Sequence, residues 1–292
     1  MYKNCLACGN QKLEKSNFLV GREFPLWHCT GCGFGFVEFT PEYNNENAFD
    51  EYWDDVNQKI YTQKSVVNEL EDKYLVYFKK LKNVKNKRLL DVGSGAGICV
   101  NTANQSGFDA MGVEPSENGV QLSQKTYGIN VANDLLRADD NLPRDFGVLT
   151  LWDVIEHVMD PEELINTCAA HIEEHGYLVL ETPNEGALVR KLVRALSRII
   201  PQMDLRRSMY YRAHRFYFTN KAMHELLTRC GFDEISFYKE RSMHEKAKMK
   251  LDLYFLSIPP AVRAMRKIVF WLMKRLPFTK NKMVVIARKS AA

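Results

Sequence analysis

Several features are missing from this 292-residue chain, and each absence narrows what it does. No N-terminal stretch joins a basic start to an apolar middle and a small-residue cleavage site, and no uncharged apolar run is long enough to span a bilayer. The expected location is therefore the cytoplasm. A composition of 46% hydrophobic and 26% charged residues lacks the bias that signals disorder. Evenly spread cysteines are absent too. Of seven, four fall in the first 32 residues as two C-x-x-C pairs, while Cys99, Cys168 and Cys230 stand alone. An odd count clustered in this way excludes a disulfide framework and argues for metal ligation in a reducing compartment. The length is enough for one to two domains around a large core.

The clustered cysteines are Cys5, Cys8, Cys29 and Cys32, with 20 residues between the pairs. That spacing falls in the zinc-ribbon range, and four thiolates suit a tetrahedral Zn²⁺ with no open position. Gly9 and Gly33 follow the second cysteine of each pair and let the backbone fold over the metal. Such a closed site is structural, because it holds a segment too small to bury its own core. Charges within residues 1–40 nearly balance, which speaks against a phosphate-binding face.

Residues 41–62 are acidic and aromatic, with Tyr43, Phe49, Tyr52, Trp53 and Tyr61. They read as a linker whose rings pack on the next domain or roof its pocket. Helical spacing of apolar residues over 65–81 precedes an apolar strand at 88–92. Gly93, Gly95 and Gly97 follow at every second position and open a helix. Glycine there permits positive φ and close approach of a ligand to the backbone, and the helix start offers free N–H groups. Strand–helix alternation continues, with strands expected at 109–114, 129–132, 146–152 and 177–181, the pattern of a doubly wound α/β sheet. Asp160-Pro161 supplies an N-cap and a first-turn proline for the helix after the fourth strand. Ligands of such sheets bind at the carboxyl ends of the strands. There the chain carries Asp91, Glu114, Asn133-Asp134, Trp152-Asp153 and Glu181-Thr182.

Five blocks in order carry a resemblance. They are Asp91-Val92-Gly93-Ser94-Gly95-Ala96-Gly97, Gly112-Val113-Glu114-Pro115-Ser116, the run from Leu151 through Glu156-His157 to Asp160-Pro161, Gly176 to Asn184, and His214-Arg215-Phe216-Tyr217-Phe218-Thr219. From about Leu70 onward the chain resembles the class I S-adenosylmethionine (SAM) methyltransferases, and within them the ubiquinone-O-methyltransferase-like group. The resemblance implies a Rossmann-like seven-stranded sheet, here with a four-cysteine zinc ribbon in front and two helical insertions. It divides the chain into a ribbon (1–40), a linker and helix (41–85) and a SAM-dependent domain (86–292). The implied cofactor set is Asp91, Gly93, Ser94, Gly95, Gly97, Glu114, Pro115, Asp134, Leu135 and Trp152. In it Asp91 contacts the SAM amino group, Glu114 accepts from both ribose hydroxyls, and Asp134 and Leu135 grip the adenine. The sulfonium is already an activated methyl donor, so the protein mainly has to hold an acceptor in line with it. A hydroxyl acceptor also needs a base, for which Asp153, His157 and His214 are the candidates.

The net charge is only +4, but it is unevenly placed. Residues 186–215 carry eight Lys/Arg against one acid, and residues 241–280 carry ten against two. These are the two departures from a minimal methyltransferase, insertions at 185–213 and 241–280. Each includes a basic amphipathic helix, at 187–200 and 261–276. A cationic acceptor site suits a phosphate-bearing substrate such as a nucleotide-linked or lipid-linked sugar, in surface-polysaccharide synthesis. An apolar face flanked by Lys/Arg also suits a bilayer surface; dimerisation or packing on the chain's own domain are the plainer alternatives. Nucleic acid is not the expected partner. Still open are an RNA methyltransferase that uses the ribbon as a clamp, and a SAM-binding interaction protein without catalysis.

Overall fold

The computed structural model describes residues 2–20, 24–37, 48–129, 131–138, 141–199, 209–210, 213–242 and 280–291. β1 (Leu13–Val20), β2 (Phe24–Cys29) and β3 (Gly35–Val37) form an antiparallel meander. α1 (Ala48–Tyr52), α2 (Asp55–Tyr61) and α3 (Lys64–Phe78) follow. Strand and helix then alternate through β4 (Arg88–Val92), α4 (Ile98–Gln105), β5 (Asp109–Val113), α5 (Glu117–Tyr127), β6 (Phe146–Trp152), α6 (Pro161–His171) and β7 (Ile172–Pro183). α7 (Leu188–Ile199), β8 (Phe216–Tyr217), α8 (Asn220–Arg229), β9 (Phe232–Glu240) and β10 (Lys282–Lys289) complete the order.

The main sheet has six strands in the order β5-β4-β6-β7-β10-β9. β5, β4, β6 and β7 run parallel; β10 is antiparallel to both of its neighbours, β7 and β9, so β9 again runs in the direction of the parallel set. Strand order reverses at β4, the position where open α/β sheets place their ligand crevice. Among the described residues, the seventh strand expected at 129–132 is represented by one parallel bridge between Val113 and Ala132. The physical reason is next to it in sequence. Asn133 turns its amide onto the Glu114 and Pro115 carbonyls, 3.0 and 3.1 Å away, and so does not extend the ladder.

Alternation along the strands sorts the core onto two faces. Leu90, Leu149, Leu151, Leu178, Leu180 and Val285 share one apolar cluster with Ile165 of α6, Leu226 and Leu227 of α8, and Phe34 and Phe36 of the meander. Leu89, Val148, Val179 and Val284 point the other way, onto Leu70, Tyr74 and Tyr77 of α3 and Ile98 of α4. The cysteine-bearing meander is thus built into one face of the sheet. It also borrows a strand, since β8 pairs β3 and completes a second, four-stranded sheet, β1-β2-β3-β8.

The helix expected at 187–200 is α7. The helix expected at 261–276 and most of the 241–280 insertion lie outside the described residues, as do 200–208 and 211–212 of the first insertion.

Candidate active site

The glycine turn hangs from the end of β5. The amides of Gly93 and Ser94 both donate to the Val113 carbonyl, at 2.8 and 3.1 Å. At Gly95, φ is +50°, and a Cβ would stand 2.4 Å from the Trp53 ring. Any side chain would therefore be strained by the backbone and blocked by the indole. Trp53 comes from the aromatic linker, so one of its rings does roof the turn. Asp50 pins this roof: its carboxylate accepts from the Ser116 hydroxyl at 2.6 Å and from the Asn118 amide at 3.3 Å, at the start of α5.

Under the roof lie two buried carboxylates. Glu114 follows β5, and its oxygens accept from the Gly95 amide at 2.8 Å and the Ser116 amide at 3.0 Å. Burial raises its pKa, and those two amides oppose the rise. Asp91, inside β4, accepts from the Thr150 hydroxyl at 2.5 Å. Burial pushes its pKa up to about 7, against the hydrogen bonds from Thr150 and Cys99 and with the charge of Glu114. Ser94 is buried, and its hydroxyl has no hydrogen-bond partner among the described residues. Asp134 turns outward to Arg137 and to the Leu135 amide, and Leu135 is exposed. Trp152 donates its indole N–H to the Cys99 sulfur at 3.2 Å and lies 4.7 Å from Tyr74, with the Lys73 ammonium 5.1 Å from its ring.

Across the strand ends stands a second group of charges. Asp153 has a φ of +57°. Its carboxylate pairs with the Lys282 ammonium, which also donates to Glu181 at 2.6 Å. The second Glu181 oxygen meets Lys73 at 2.9 Å. Burial alone would lower the Lys282 pKa; the two carboxylates override it and raise it well above the usual lysine value. Glu156 is fully buried and accepts from the Thr182 hydroxyl at 2.9 Å. Burial, reinforced by the charge of Asp153, raises its carboxyl pKa well above the usual range.

His157 and His214 meet edge to face, 4.7 Å apart. Nδ1 of His157 lies 3.0 Å from the Ala213 carbonyl. A carbonyl oxygen only accepts, so Nδ1 donates and the neutral ring carries its lone pair on Nε2. His214 is held well below the ordinary histidine value by burial and by His157 beside it. The ligand atoms of Glu156, His157 and His214 lie within 4.8 Å of one another.

The four clustered cysteines converge at the end of the meander. Cys5 and Cys32 sulfurs are 3.6 Å apart, Cys8 and Cys29 sulfurs 3.7 Å, and all four lie within 4.8 Å. A tetrahedron of sulfurs about 2.3 Å from a zinc ion has edges of about 3.8 Å. The donor set and its spacing fit Zn²⁺.

The structure therefore brings Asp91, Glu114, the glycine turn, Pro115 and Trp152 to one end of the sheet, with Asp153, His157 and His214 beside them. Sequence reasoning missed Lys73 and Lys282. Lys282 reaches the strand carboxyl ends because β10 runs antiparallel, so its first residue lies where the parallel strands finish; only the topology carries that signal.

A family model described as a methyltransferase domain matches residues 62–236. A ubiquinone biosynthesis O-methyltransferase of Pseudomonas fluorescens is 32% identical over 108 residues, 35% of this chain and 47% of that protein. The chain thus spans about half the length of the curated relatives it matches. A SAM-dependent methyltransferase from Archaeoglobus fulgidus superposes with a TM-score of 0.50 at 18% identity, over 76% of this chain and 94% of that one. A Haemonchus contortus phosphoethanolamine N-methyltransferase 2, bound to phosphomonomethylethanolamine and S-adenosylhomocysteine, gives 0.54 at 14% identity, over 96% and 71%. At such identities the structural likeness establishes the fold.

Proposed function

Because the chain belongs to the methyltransferase-domain family, we propose that it moves a methyl group from SAM to an oxygen of a small-molecule acceptor. The observation that carries the reading is the meeting of Glu114, Asp91 and the Gly93–Gly97 turn under the Trp53 roof, at the point where strand order reverses. In this reading Glu114 accepts from the ribose hydroxyls, since a carboxylate has lone pairs beyond those taken by the Gly95 and Ser116 amides. Asp91 faces the amino group of the methionine part, and Asp134 and Leu135 flank the adenine. SAM supplies the electrophilic methyl; this chain's groups orient the acceptor and move one proton.

His157 is the base best suited to that proton. Asp153 is engaged as the partner of Lys282, and taking a proton would break the pair. His214 is disfavoured as a cation by its burial. The Nε2 lone pair of His157 is oriented by the Ala213 carbonyl. The four-cysteine cluster holds a structural zinc, which supplies a cross-link and no step of the chemistry.

For the acceptor, the basic segments favour an anionic molecule, with a nucleotide-linked or lipid-linked sugar hydroxyl placed first. Purified protein, methyl-labelled SAM and fractionated extract test this. Label in the sugar-nucleotide or lipid-linked fraction supports it; label in RNA overturns it in favour of the nucleic-acid reading.

A specific observation favours a second contact, with an anionic membrane surface. Leu188, Leu192 and Leu196 stand exposed at helical spacing on α7 with Lys191 exposed beside them, while Arg190 and Arg194 turn inward onto Glu185. Leu192→Glu with Leu196→Glu is expected to cut co-sedimentation with phosphatidylglycerol vesicles at least about fivefold, since each buried leucine contributes roughly 1.5–3 kcal/mol. Unchanged sedimentation removes this contact.

Asp91 makes SAM affinity depend on pH. An acid whose folded pKa is raised, here from 3.8 to about 7, stabilises the ligand-free fold below its unfolded value. That contribution is lost as pH rises through about 7. If the ionised form pairs with the SAM amino group, binding below about 7 releases a proton. Affinity then climbs with pH by up to about tenfold per unit and levels off above that value. Calorimetric titrations in buffers of different ionisation heat read the proton directly. No proton release between about pH 5.5 and 7 would remove Asp91 from the amino group.

A further inference from the structure

The ribbon and the acceptor side of the site share one stretch of backbone, residues 213–219. On one edge of that stretch, β8 pairs β3, with Gly35 opposite Tyr217 and Phe36 opposite Phe216, and the Val37 amide donates to the Arg215 carbonyl at 2.8 Å. On the other edge, the amides of Arg215 and Phe216 donate to the Glu156 carbonyl at 2.7 and 3.2 Å, and the Glu185 amide donates to the Phe218 carbonyl at 2.8 Å. The stretch is clamped between the ribbon sheet and the loops that leave β6 and β7. Its first two residues bear the site: the Ala213 carbonyl orients His157, and His214 packs against the same ring.

Its last residue is tied to the metal knuckle. The Thr219 hydroxyl donates to the Cys32 carbonyl at 2.6 Å and accepts from the Ala222 amide at 3.1 Å, capping α8. Gly33, next to Cys32, fits this contact closely: a Cβ there would lie 3.0 Å from the Thr219 methyl. α8 grips both cysteine loops as well. Lys221 donates to the Gly31 carbonyl at 2.8 Å, and Arg229 donates to the Leu6 and Ala7 carbonyls at 3.2 Å.

The glycine turn, by contrast, is held by β5, Glu114 and the Trp53 roof. Among the described residues no hydrogen bond joins the ribbon to it.

We propose that Thr219 and β8 are positioning elements, through which the metal-loaded ribbon sets His214 and the Ala213 carbonyl against His157. The ribbon is then a wall of the acceptor side and not of the SAM side. Metal among the four cysteines orders the Cys32 loop; that loop holds Thr219 and β3 holds β8. Those two attachments fix the two backbone positions on which the histidine pair depends. The proposal rests on zinc being the ligand of the four cysteines, and on the reading of His157 as the base. Its geometric part, the coupling of the ribbon to the histidine pair, is measurable without an acceptor.

The test uses the full-length, zinc-loaded protein labelled with ¹⁵N at histidine, with the rings of His157 and His214 assigned by single substitution. Zinc is withdrawn with a high-affinity chelator, and S-adenosylhomocysteine affinity is measured by calorimetry on the same samples. The expected result is displacement or broadening of both ring resonances, with the affinity changed by less than about threefold, or about 0.65 kcal/mol. Thr219→Val, with zinc retained, is expected to move the same two resonances in the same sense, and Thr219→Ser to restore them. Ring resonances that stay in place when zinc leaves overturn the proposal. So does a parallel collapse of S-adenosylhomocysteine binding, which would make the ribbon a support of the whole fold. Failure of the zinc-loaded wild type to bind S-adenosylhomocysteine strikes the methyltransferase reading instead, and leaves the ring resonances to decide the coupling.

Discussion

Glu114→Ala is expected to weaken SAM binding by at least about tenfold. The carboxylate is buried and already fixed by the Gly95 and Ser116 amides, so it costs little to orient when the ribose arrives. Losing a charged acceptor of two hydroxyls costs roughly 1.5–3 kcal/mol, which is about 10-fold to 150-fold in affinity. Truncation also strands the two backbone amides, so part of the effect appears as lower stability of the free protein. Glu114→Gln separates these contributions, because it keeps the shape and one acceptor while removing the charge. It should fall between wild type and alanine. Calorimetric titration with S-adenosylhomocysteine is the measurement, and an unchanged affinity in Glu114→Ala would displace this residue from the ribose.

The second large effect is on stability and comes from Lys282→Met. Lys282 and Glu181 are both buried, and the ammonium is the shared partner of Glu181 and Asp153. Removing one member of a fully buried ion pair typically costs about 3–5 kcal/mol. Here Lys73 stays on Glu181 and the Asp153 side chain is 39% exposed, so the expected cost is nearer about 1.5–3 kcal/mol. At roughly 2–4 °C per kcal/mol for a chain of this size, the melting temperature should fall by roughly 3–12 °C. Since Glu181 keeps Lys73, Asp153 is the carboxylate that loses its ammonium. The double variant Lys282→Met with Asp153→Asn should therefore recover part of the loss. Differential scanning calorimetry on the four proteins of the cycle checks this. A Lys282→Met that melts with wild type would mean that the pair is solvated well enough to contribute nothing.

Much of the fold was legible because its strands are apolar and its helices carry their own start signals. The run at 88–92, the glycines after it and the Asp160-Pro161 cap state locally what they do, and the structure has β4, the turn and α6 at those positions. β7 was read short. It begins at Ile172 and not at Tyr177, because Glu173, Glu174 and His175 look like a polar loop. In the structure they bulge out between two paired positions, Ile172 opposite Phe146 and Tyr177 opposite Val148, with His175 at a φ of +62°. The polar residues at the ends of β4, β5 and β6 stand out from the strand ends themselves; the cofactor roles proposed for them come from the resemblance. Lys73 and Lys282 do not stand out, since a lone lysine on a helix or at the start of a strand looks like any solvated one. Only helix packing and an antiparallel return bring them to the same two carboxylates. The pairing of β3 with β8 was equally hidden, because two residues carry no periodicity.

That pairing has a consequence in time. Phe36 and Phe216 lie side by side but 180 residues apart in the chain. At roughly 5–20 residues per second, the ribosome makes the second of them roughly ten to forty seconds after the first. All four cysteines have by then emerged, so metal capture can precede completion of the sheet. During that interval β3 is an edge with open amides and carbonyls, flanked by Phe34 and Phe36, while Phe216 and Phe218, which pack on Phe34, have yet to arrive. An apolar open edge is a template for pairing with another chain. A nascent chain that stalls before residue 216 therefore keeps β3 without the strand that covers its edge.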